Sequence, residues 1–426
     1  MQTRLDNGLQ IYLKEIHTIP LVSHWVWYRV GSRDEVPGMR GISHWVEHML
    51  FKGTPRFPGR ELDRVISREG GVWNAFTYLD WTTFFETMPA DKIGIGLQLE
   101  ADRMQNASFD PVEVESERTV ILSEMDGRRN EPMQLLGEAV QQAAFDIHPY
   151  RHEVIGEEND LKILSREDLY QHYRRYYHPQ NAVVAVAGDF DTEQMLAELQ
   201  ALYASIPPGP EPDRPAVVEG PLNHERRVEV KGPGTTTYLE IAYRAPSAAG
   251  PDFFAFAVLD SLLSGPMSLN MFGGGGVSNK TTRLYRALVE TDLAASVYGG
   301  LQATIDPFLY HVVCTVNPDR KYTTVLSGID AQIRRLQDEP VSEAEIARAI
   351  KQTRAIFAYG SENITNQAFW LGYSEMFASY DWFVDYIGRL MAVTPEDVMR
   401  IAQVYLADDR RVVGVYLPTG NGADES

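Results

Sequence analysis

The stretch Ser165-Arg-Glu-Asp-Leu169 opens a helical pattern, and the apolar run Ala-Val-Val-Ala-Val-Ala follows it at residues 182–187. The same order recurs as Thr394-Pro-Glu-Asp-Val398 with Arg-Val-Val-Gly-Val-Tyr at residues 411–416, at an offset of 394 − 165 = 229. Both starts are capping boxes, in which a hydroxyl and an acid three residues later bind free helix amides. Capped helices before strands occur in any α/β protein, but a register kept without gaps over about twenty residues favours a duplication.

A proline-rich segment separates the two copies. Residues 207–215 read PPGPEPDRP, which fits neither a helix interior nor a central strand. The sequence therefore predicts an N-terminal domain at 1–206, a linker at 207–224 and a homologous C-terminal domain at 225–426. Strands in each half are grouped with antiparallel signals instead of alternating strictly with helices, which predicts an α+β fold with two similar domains. We expect each domain to be a mostly antiparallel mixed sheet with helices packed on it.

Composition narrows the class of protein. The chain has 426 residues, with 39 Lys+Arg against 59 Asp+Glu, so its formal net charge is 39 − 59 = −20. That charge argues against nucleic acid or an anionic membrane as the main partner. The single cysteine, Cys314, excludes an internal disulfide framework. Because the sequence contains neither a signal-peptide core nor an apolar run near ~20 residues, we expect a cytoplasmic protein, or a periplasmic one if a leader was removed.

The segment Gly41-Ile-Ser-His-Trp-Val-Glu-His-Met-Leu50 carries the strongest chemical signal. On a helix, His44 and His48 are four residues apart and project from one face, which Glu47 shares. Two imidazoles at this spacing can bind one zinc ion, and the carboxylate can take a proton from a zinc-bound water. The order is H-x-x-E-H, the reverse of the common H-E-x-x-H. The alternative is an amphipathic helix with two half-exposed histidines and a solvated glutamate.

A protein zinc site needs a third ligand. The helix predicted after Asp110 has an apolar stripe in which Glu117 and Glu124 occupy two positions, seven residues apart on one face. Glutamates are rarely buried unless they are paired or bound to metal. One of the two could ligate the metal while the other orients a ligand. The alternative is that Glu117 pairs with a nearby arginine such as Arg118 and the helix is ordinary surface.

These motifs together resemble a known family. HWVEHMLFKGT at 44–54, GGVWNAFT at 70–77 and ERTVILSEM at 117–125 look like the pitrilysin/insulinase/mitochondrial processing peptidase family of zinc peptidases, the inverzincins. The resemblance covers nearly all of the first domain. In the second domain it is weaker and includes the glycine-rich loop at 273–276 and the repeat.

The resemblance implies a role for each matching residue. Zinc would lie on His44, His48 and Glu124, with Glu47 as the general base. Glu117 matches the acidic residue one heptad before the ligand and would support the catalytic site. Asn74 and Ala75 fall on the edge strand where family members bind substrate backbone as an added strand.

The sequence departs from the family pattern in the second domain. Members usually carry an Arg and a Tyr that grip substrate, but the matching positions are Val289 and Ala295. The resemblance therefore implies a zinc-bearing metalloendopeptidase subunit acting on unfolded peptides, with the C-terminal domain as chamber wall and dimer contact. Its partner would be a second copy or a sister chain that carries the missing pair. The alternative is a non-proteolytic subunit that keeps the fold in a larger assembly.

Overall fold

Two β-sheets, one in each half of the chain, organise the fold. The computed structural model describes residues 1–214, 216–266 and 280–420. The first sheet contains β1 (Gln2–Arg4), β2 (Gln10–Glu15), β3 (Leu21–Tyr28), β4 (Val72–Thr77), β5 (Thr82–Pro89) and β6 (Ala182–Gly188). The second contains β7 (Arg226–Gly232), β8 (Tyr238–Arg244), β9 (Ala294–Leu301), β10 (Leu309–Val316) and β11 (Arg411–Pro418).

Helices follow the strands in both halves. Those of the first half are α1 (Ile42–Leu50), α2 (Gly59–Arg68), α3 (Gly94–Asn106), α4 (Pro111–Arg128), α5 (Pro132–Ala144), α6 (Glu158–Ile163), α7 (Arg166–Tyr176) and α8 (Thr192–Tyr203). Those of the second half are α9 (Phe253–Leu263), α10 (Tyr322–Asp338), α11 (Glu343–Tyr359), α12 (Ile364–Tyr373), α13 (Tyr380–Val384), α14 (Tyr386–Met391) and α15 (Pro395–Tyr405). Both predicted capping boxes form, at the starts of α7 and α15.

The two sheets have the same topology. The first has the strand order β1-β2-β6-β3-β5-β4 and the second β7-β11-β8-β10-β9, so each strand of the second sheet has a counterpart in the first. In each sheet one pair is parallel, β2 with β6 and β7 with β11, while the remaining neighbours are antiparallel. Val183 of β6 corresponds to Val412 of β11, and 412 − 183 = 229, the offset of the sequence repeat. The predicted α+β fold with two similar domains is confirmed.

The central strands of the first sheet are buried on both faces. The central strand β6 reads AVVAVAG and is buried along its whole length, as expected for a strand with helices on either side. On one face its neighbours pack with α1, α3 and α7 around a common apolar core. On the other face α12 covers β3 and β6, and the Phe369 ring lies 5.4 Å from Trp25 and 5.3 Å from Trp27.

The helix that covers this second face comes from the C-terminal half of the sequence. The first compact unit consists of the described residues of 1–125, 152–216 and 361–383, and the second unit of those of 126–151, 217–360 and 384 onward. In the second unit, α5 from the N-terminal half packs on β7, β8 and β11. Adding 229 to residues 135–144 of α5 gives 364–373, the bounds of α12. The two units have therefore exchanged equivalent helices, which a single boundary at 207–224 does not describe.

Two expectations concern the chain outside these elements. The glycine-rich loop predicted at 273–276 lies outside the described residues. Among the helices that are described, none combines the length and apolarity that crossing a bilayer requires.

Candidate metal centre

A buried carboxylate holds the start of the helix that carries the H-x-x-E-H motif. Gly41 precedes α1 with φ of 91°, and a Cβ there would lie 2.5 Å from the Ile155 carbonyl oxygen, so glycine is required. Glu35 replaces the missing side-chain cap, because its two oxygens accept hydrogen bonds from the Gly41 amide at 2.8 Å and the Ser43 amide at 2.9 Å. Burial raises the pKa of Glu35 to about 7, against the effect of these bonds. These contacts fix the position of the first turn of α1.

The two histidines of α1 meet Glu124 of α4. The His44 and His48 rings have centroids 4.6 Å apart, and the Nε2 atom of each lies 3.9 Å from Oε2 of Glu124. One ligand atom from each of the three residues lies within 4.8 Å of the others. The histidine side chains are 14% and 22% exposed and Glu124 is 40% exposed, so the cluster is open to solvent on the glutamate side. Two imidazoles and a carboxylate are the donor set of an open catalytic zinc site.

Glu117 orients one of the histidines. Its side chain is buried, and its Oε2 atom lies 2.9 Å from Nδ1 of His48. A proton on Nδ1 leaves Nε2 free as the donor atom that faces Glu124. Burial opposes ionisation of Glu117, but hydrogen bonds from His48 and Lys52 hold its pKa below the usual range.

The alternative partner for Glu117 is wrong. Arg118 instead forms an ion pair with Glu115 and donates to backbone carbonyls of Leu161 and Leu164.

Glu47 is the acid–base group nearest to the two histidines along α1. It is 8% exposed, and the Thr77 hydroxyl donates a hydrogen bond of 2.6 Å to its Oε2 atom. Burial, opposed by Thr77 and His48 and aided by nearby Glu124, raises the pKa of Glu47 to about 7. A carboxyl group with a pKa near neutrality can both accept and return a proton at physiological pH.

The predicted substrate-binding residues lie on the edge of the first sheet. Within the described residues, β4 pairs only with β5, which leaves its other edge unpaired. Asn74 is exposed, and its Oδ1 atom accepts a hydrogen bond from the Ala75 amide at 2.9 Å, while Ala75 is buried. Thr77 of the same strand contacts Glu47, so β4 is connected directly to the histidine helix. Asn74 and Ala75 themselves stay predicted substrate contacts.

Three contributors to the site escaped sequence reasoning: Glu35, Lys52 and Thr77. Lys52 follows His48 by four residues, in the turn just after α1 ends at Leu50, and this spacing could have indicated the contact with Glu117. Thr77 ends the GGVWNAFT motif on the same strand face as Ala75, two residues away. Glu35 acts over six residues as a cap, a contact for which the local sequence has no regular signature.

Adding the repeat offset of 229 to the positions of the two α4 glutamates gives Ile346 and Thr353 of α11, both buried and neither a carboxylate. Val289 ends a π-helical turn and Ala295 lies in β9, and neither side chain can donate a hydrogen bond.

Comparisons with known proteins identify sequences that are similar to this chain. The family profile described as insulinase, peptidase family M16, matches residues 10–158, and the profile described as peptidase M16 inactive domain matches residues 164–353. A Mycobacterium tuberculosis protein named as a zinc protease is 28% identical over 424 residues, covering 99% of this chain and 93% of the relative.

Solved structures extend the likeness to the fold. A protease from Helicobacter pylori superposes with a TM-score of 0.90 at 25% identity, over 98% of this chain and 99% of that one. A Pseudomonas fluorescens structure described as a peptidase M16 inactive domain has a TM-score of 0.86 at 17% identity, over 100% of this chain and 98% of that one, which shows the fold alone. The chain belongs to the M16 family of zinc peptidases, as its motifs predicted.

Proposed function

We propose that this protein is a zinc-dependent metalloendopeptidase subunit that hydrolyses unfolded peptides or oligopeptides. The observation that carries the proposal is the cluster of His44, His48 and Glu124, with buried Glu47 on the same helix as the histidines. Nε2 of each histidine lies 3.9 Å from Oε2 of Glu124, so small side-chain movements would bring the three donors to about 2 Å from a single ion. The relative named as a zinc protease supports the choice of metal.

The protein's own groups divide the work of peptide hydrolysis. Zinc supplies Lewis-acid polarisation of the scissile carbonyl and makes a water molecule more acidic. Glu47 accepts the proton of the attacking water and then donates it to the leaving amine. Thr77 fixes the orientation of the Glu47 carboxylate, and Glu117 fixes the tautomer of His48.

The unpaired edge of β4 is the proposed substrate-binding surface. An extended peptide can pair with it as an added strand, which gives affinity through main-chain hydrogen bonds and excludes folded substrates. Asn74 and Ala75 would contact that strand, and the Ala75 amide would then exchange its bond to Asn74 for one to substrate. Thr77 on the same strand places the peptide beside Glu47.

A partner chain is part of the proposal. The second unit has Val289 and Ala295 where family members usually grip the substrate with Arg and Tyr. Such groups neutralise developing charge near the scissile bond, which apolar side chains cannot do. We therefore propose a heterodimer with a sister chain that supplies them; the alternative is a homodimer, in which the second copy lacks the pair as well.

A non-proteolytic assembly subunit is the second candidate. The profile that matches residues 164–353 is described as an inactive domain, and the same part of the chain has lost the Arg and Tyr. This candidate predicts a chain that binds zinc and cleaves nothing in any pairing.

The test measures zinc content and cleavage of a quenched peptide mixture, with the chain alone and with its co-purified partner. Glu47→Gln should keep one zinc per chain and lose about 10²–10⁴-fold in cleavage. Glu124→Gln should lose zinc, whereas the matched control Asp126→Asn, exposed on the same helix, should keep both zinc and activity. Full zinc binding without cleavage in any pairing would refute the peptidase and favour the assembly subunit.

A further inference from the structure

The helix that supplies the proposed third ligand packs on the first unit along one narrow stripe. α4 has 18 residues, and Val114, Glu117, Ile121 and Met125 are its buried ones. Glu124 itself is 40% exposed, so burial does not fix its side chain. The position of Glu124 relative to the histidines therefore depends on the rotation of α4 about its axis and on its translation along that axis.

Arg118 ties α4 to two other helices. Its Nη2 atom donates to the Leu164 carbonyl at 2.8 Å, and Nη1 donates to the Leu161 carbonyl at the end of α6. Its guanidinium carbon lies 4.6 Å from the centroid of the Trp45 ring on α1. A further ion pair with Glu115 on α4 itself restrains the side chain, which is 17% exposed.

An arginine is suited to this position for geometric reasons. The planar guanidinium presents several donors in a rigid fork and can stack on an aromatic ring at the same time, which a lysine ammonium cannot do. A cation that binds the last carbonyls of a helix also stabilises that helix end. Trp45 is fully buried and adjacent in sequence to His44, so its ring is a fixed reference for the histidine helix.

We propose that Arg118 is a positioning residue for the metal centre, holding α4 so that Glu124 meets His44 and His48. The inference rests on the proposed function, because it assumes that zinc binds these three residues. Arg118 touches none of the three ligands and acts through α1 and α6. These contacts of Arg118 add to the apolar packing that holds α4 in place.

The test is a zinc competition titration of the full chain with Arg118→Gln, supported by the absorption spectrum of the cobalt-substituted protein. We expect zinc affinity to fall about 10–100-fold, the usual effect of removing a supporting residue around a metal site. The cobalt spectrum should lose intensity as Glu124 leaves the coordination sphere.

Arg244→Gln is the matched control. Arg244, in the second unit, also stacks on an aromatic ring, with its guanidinium carbon 3.7 Å from the Phe145 centroid, and donates to the Ala144 carbonyl at the end of α5 at 2.6 Å. We expect a comparable loss of thermal stability with unchanged zinc affinity, which separates positioning from general destabilisation.

Wild-type zinc affinity and an unchanged cobalt spectrum in Arg118→Gln would overturn the inference and leave the zinc site intact. Failure of the wild-type chain itself to bind zinc would overturn the proposed function instead. If Arg118→Gln does not fold, Arg118→Lys decides, because it keeps the charge and loses the fork. Reduced affinity in that variant supports the inference and wild-type affinity refutes it.

Discussion

Replacing Glu47 by Gln should stabilise the zinc-free protein at alkaline pH. Burial raises the pKa of Glu47 from 4.5 to about 7. Between these values the unfolded chain releases the proton while the folded chain keeps it, so the stability of the wild type falls as pH rises. The amide of the Glu47→Gln variant cannot ionise and keeps an oxygen that accepts the Thr77 hydroxyl, so the variant lacks this loss.

The size of the effect follows from the pKa shift. A shift of 7 − 4.5 = 2.5 units at ~1.4 kcal/mol per unit corresponds to about 3 kcal/mol between the two ends of the titration. At pH 5 the unfolded carboxyl is already partly ionised, so most of this, about 2–3 kcal/mol, should develop between pH 5 and pH 8. Any constant effect of the amide, such as an imperfect hydrogen bond, is present at both pH values and cancels.

The assay is urea unfolding of zinc-free wild type and Glu47→Gln at pH 5 and pH 8. The free energy of unfolding of the variant relative to wild type should rise by the predicted amount between the two values. Glu362→Gln, at an exposed carboxyl in the same unit, is the control and should show no such rise. If the free energies of unfolding of wild type and Glu47→Gln change by the same amount between pH 5 and pH 8, the view that burial sets the pKa of Glu47 is refuted.

Two further predictions test the fold and the acid–base group. Gly372→Ala should destabilise the protein by about 1–2 kcal/mol, because a Cβ there would lie 2.3 Å from the buried Trp27 ring. This overpacking outweighs the gain in helix propensity. Thermal unfolding measures the effect. Gly388→Ala, in α14 with nothing within 4 Å, should instead stabilise by up to about 1 kcal/mol, and equal effects would contradict the clash. Thr77→Val removes the hydrogen bond that lowers the pKa of Glu47, the proposed general base, so the acid limb of kcat/KM should move to higher pH. Thr83→Val loses a buried hydroxyl bond to a backbone carbonyl, away from the site, and an equal shift there would count against the mechanism.

Local features of the metal centre were accessible from the sequence because they depend on one helix. The spacing of His44 and His48 fixes their common face whatever the helix packs against. Glu117 and Glu124 were found as carboxylates on an otherwise apolar stripe, and the structure brings Glu124 to the histidines and Glu117 to His48. Which glutamate does which depends on the crossing of α1 and α4, and only the family resemblance distinguished the two.

The exchange of α5 and α12 could not be predicted from the repeat. An offset of 229 shows that the two helices are equivalent, but it carries no information about which sheet each one covers. Both sheets present an apolar face, so hydrophobic patterning is satisfied by either arrangement. The choice depends on close fits such as Gly372 against the Trp27 ring and Gly414 against Val140, which appear only when the sheets and helices are packed.

The two duplicated units differ in the charged residues that they bury. In the first unit the α4 stripe contains two glutamates, one of which is buried against His48 and Lys52, an arrangement that is stable only because both bonds compensate its desolvation. Adding the repeat offset of 229 gives Ile346 and Thr353 in the second unit, buried residues that carry no charge to be compensated. The first unit therefore contains the buried charged groups of the site, including Glu47. Its sheet is covered by α12, which comes from the other half of the chain. Since that cover is encoded beyond the proline-rich linker, the N-terminal half of the sequence holds every proposed metal ligand yet does not hold all of the fold that supports them.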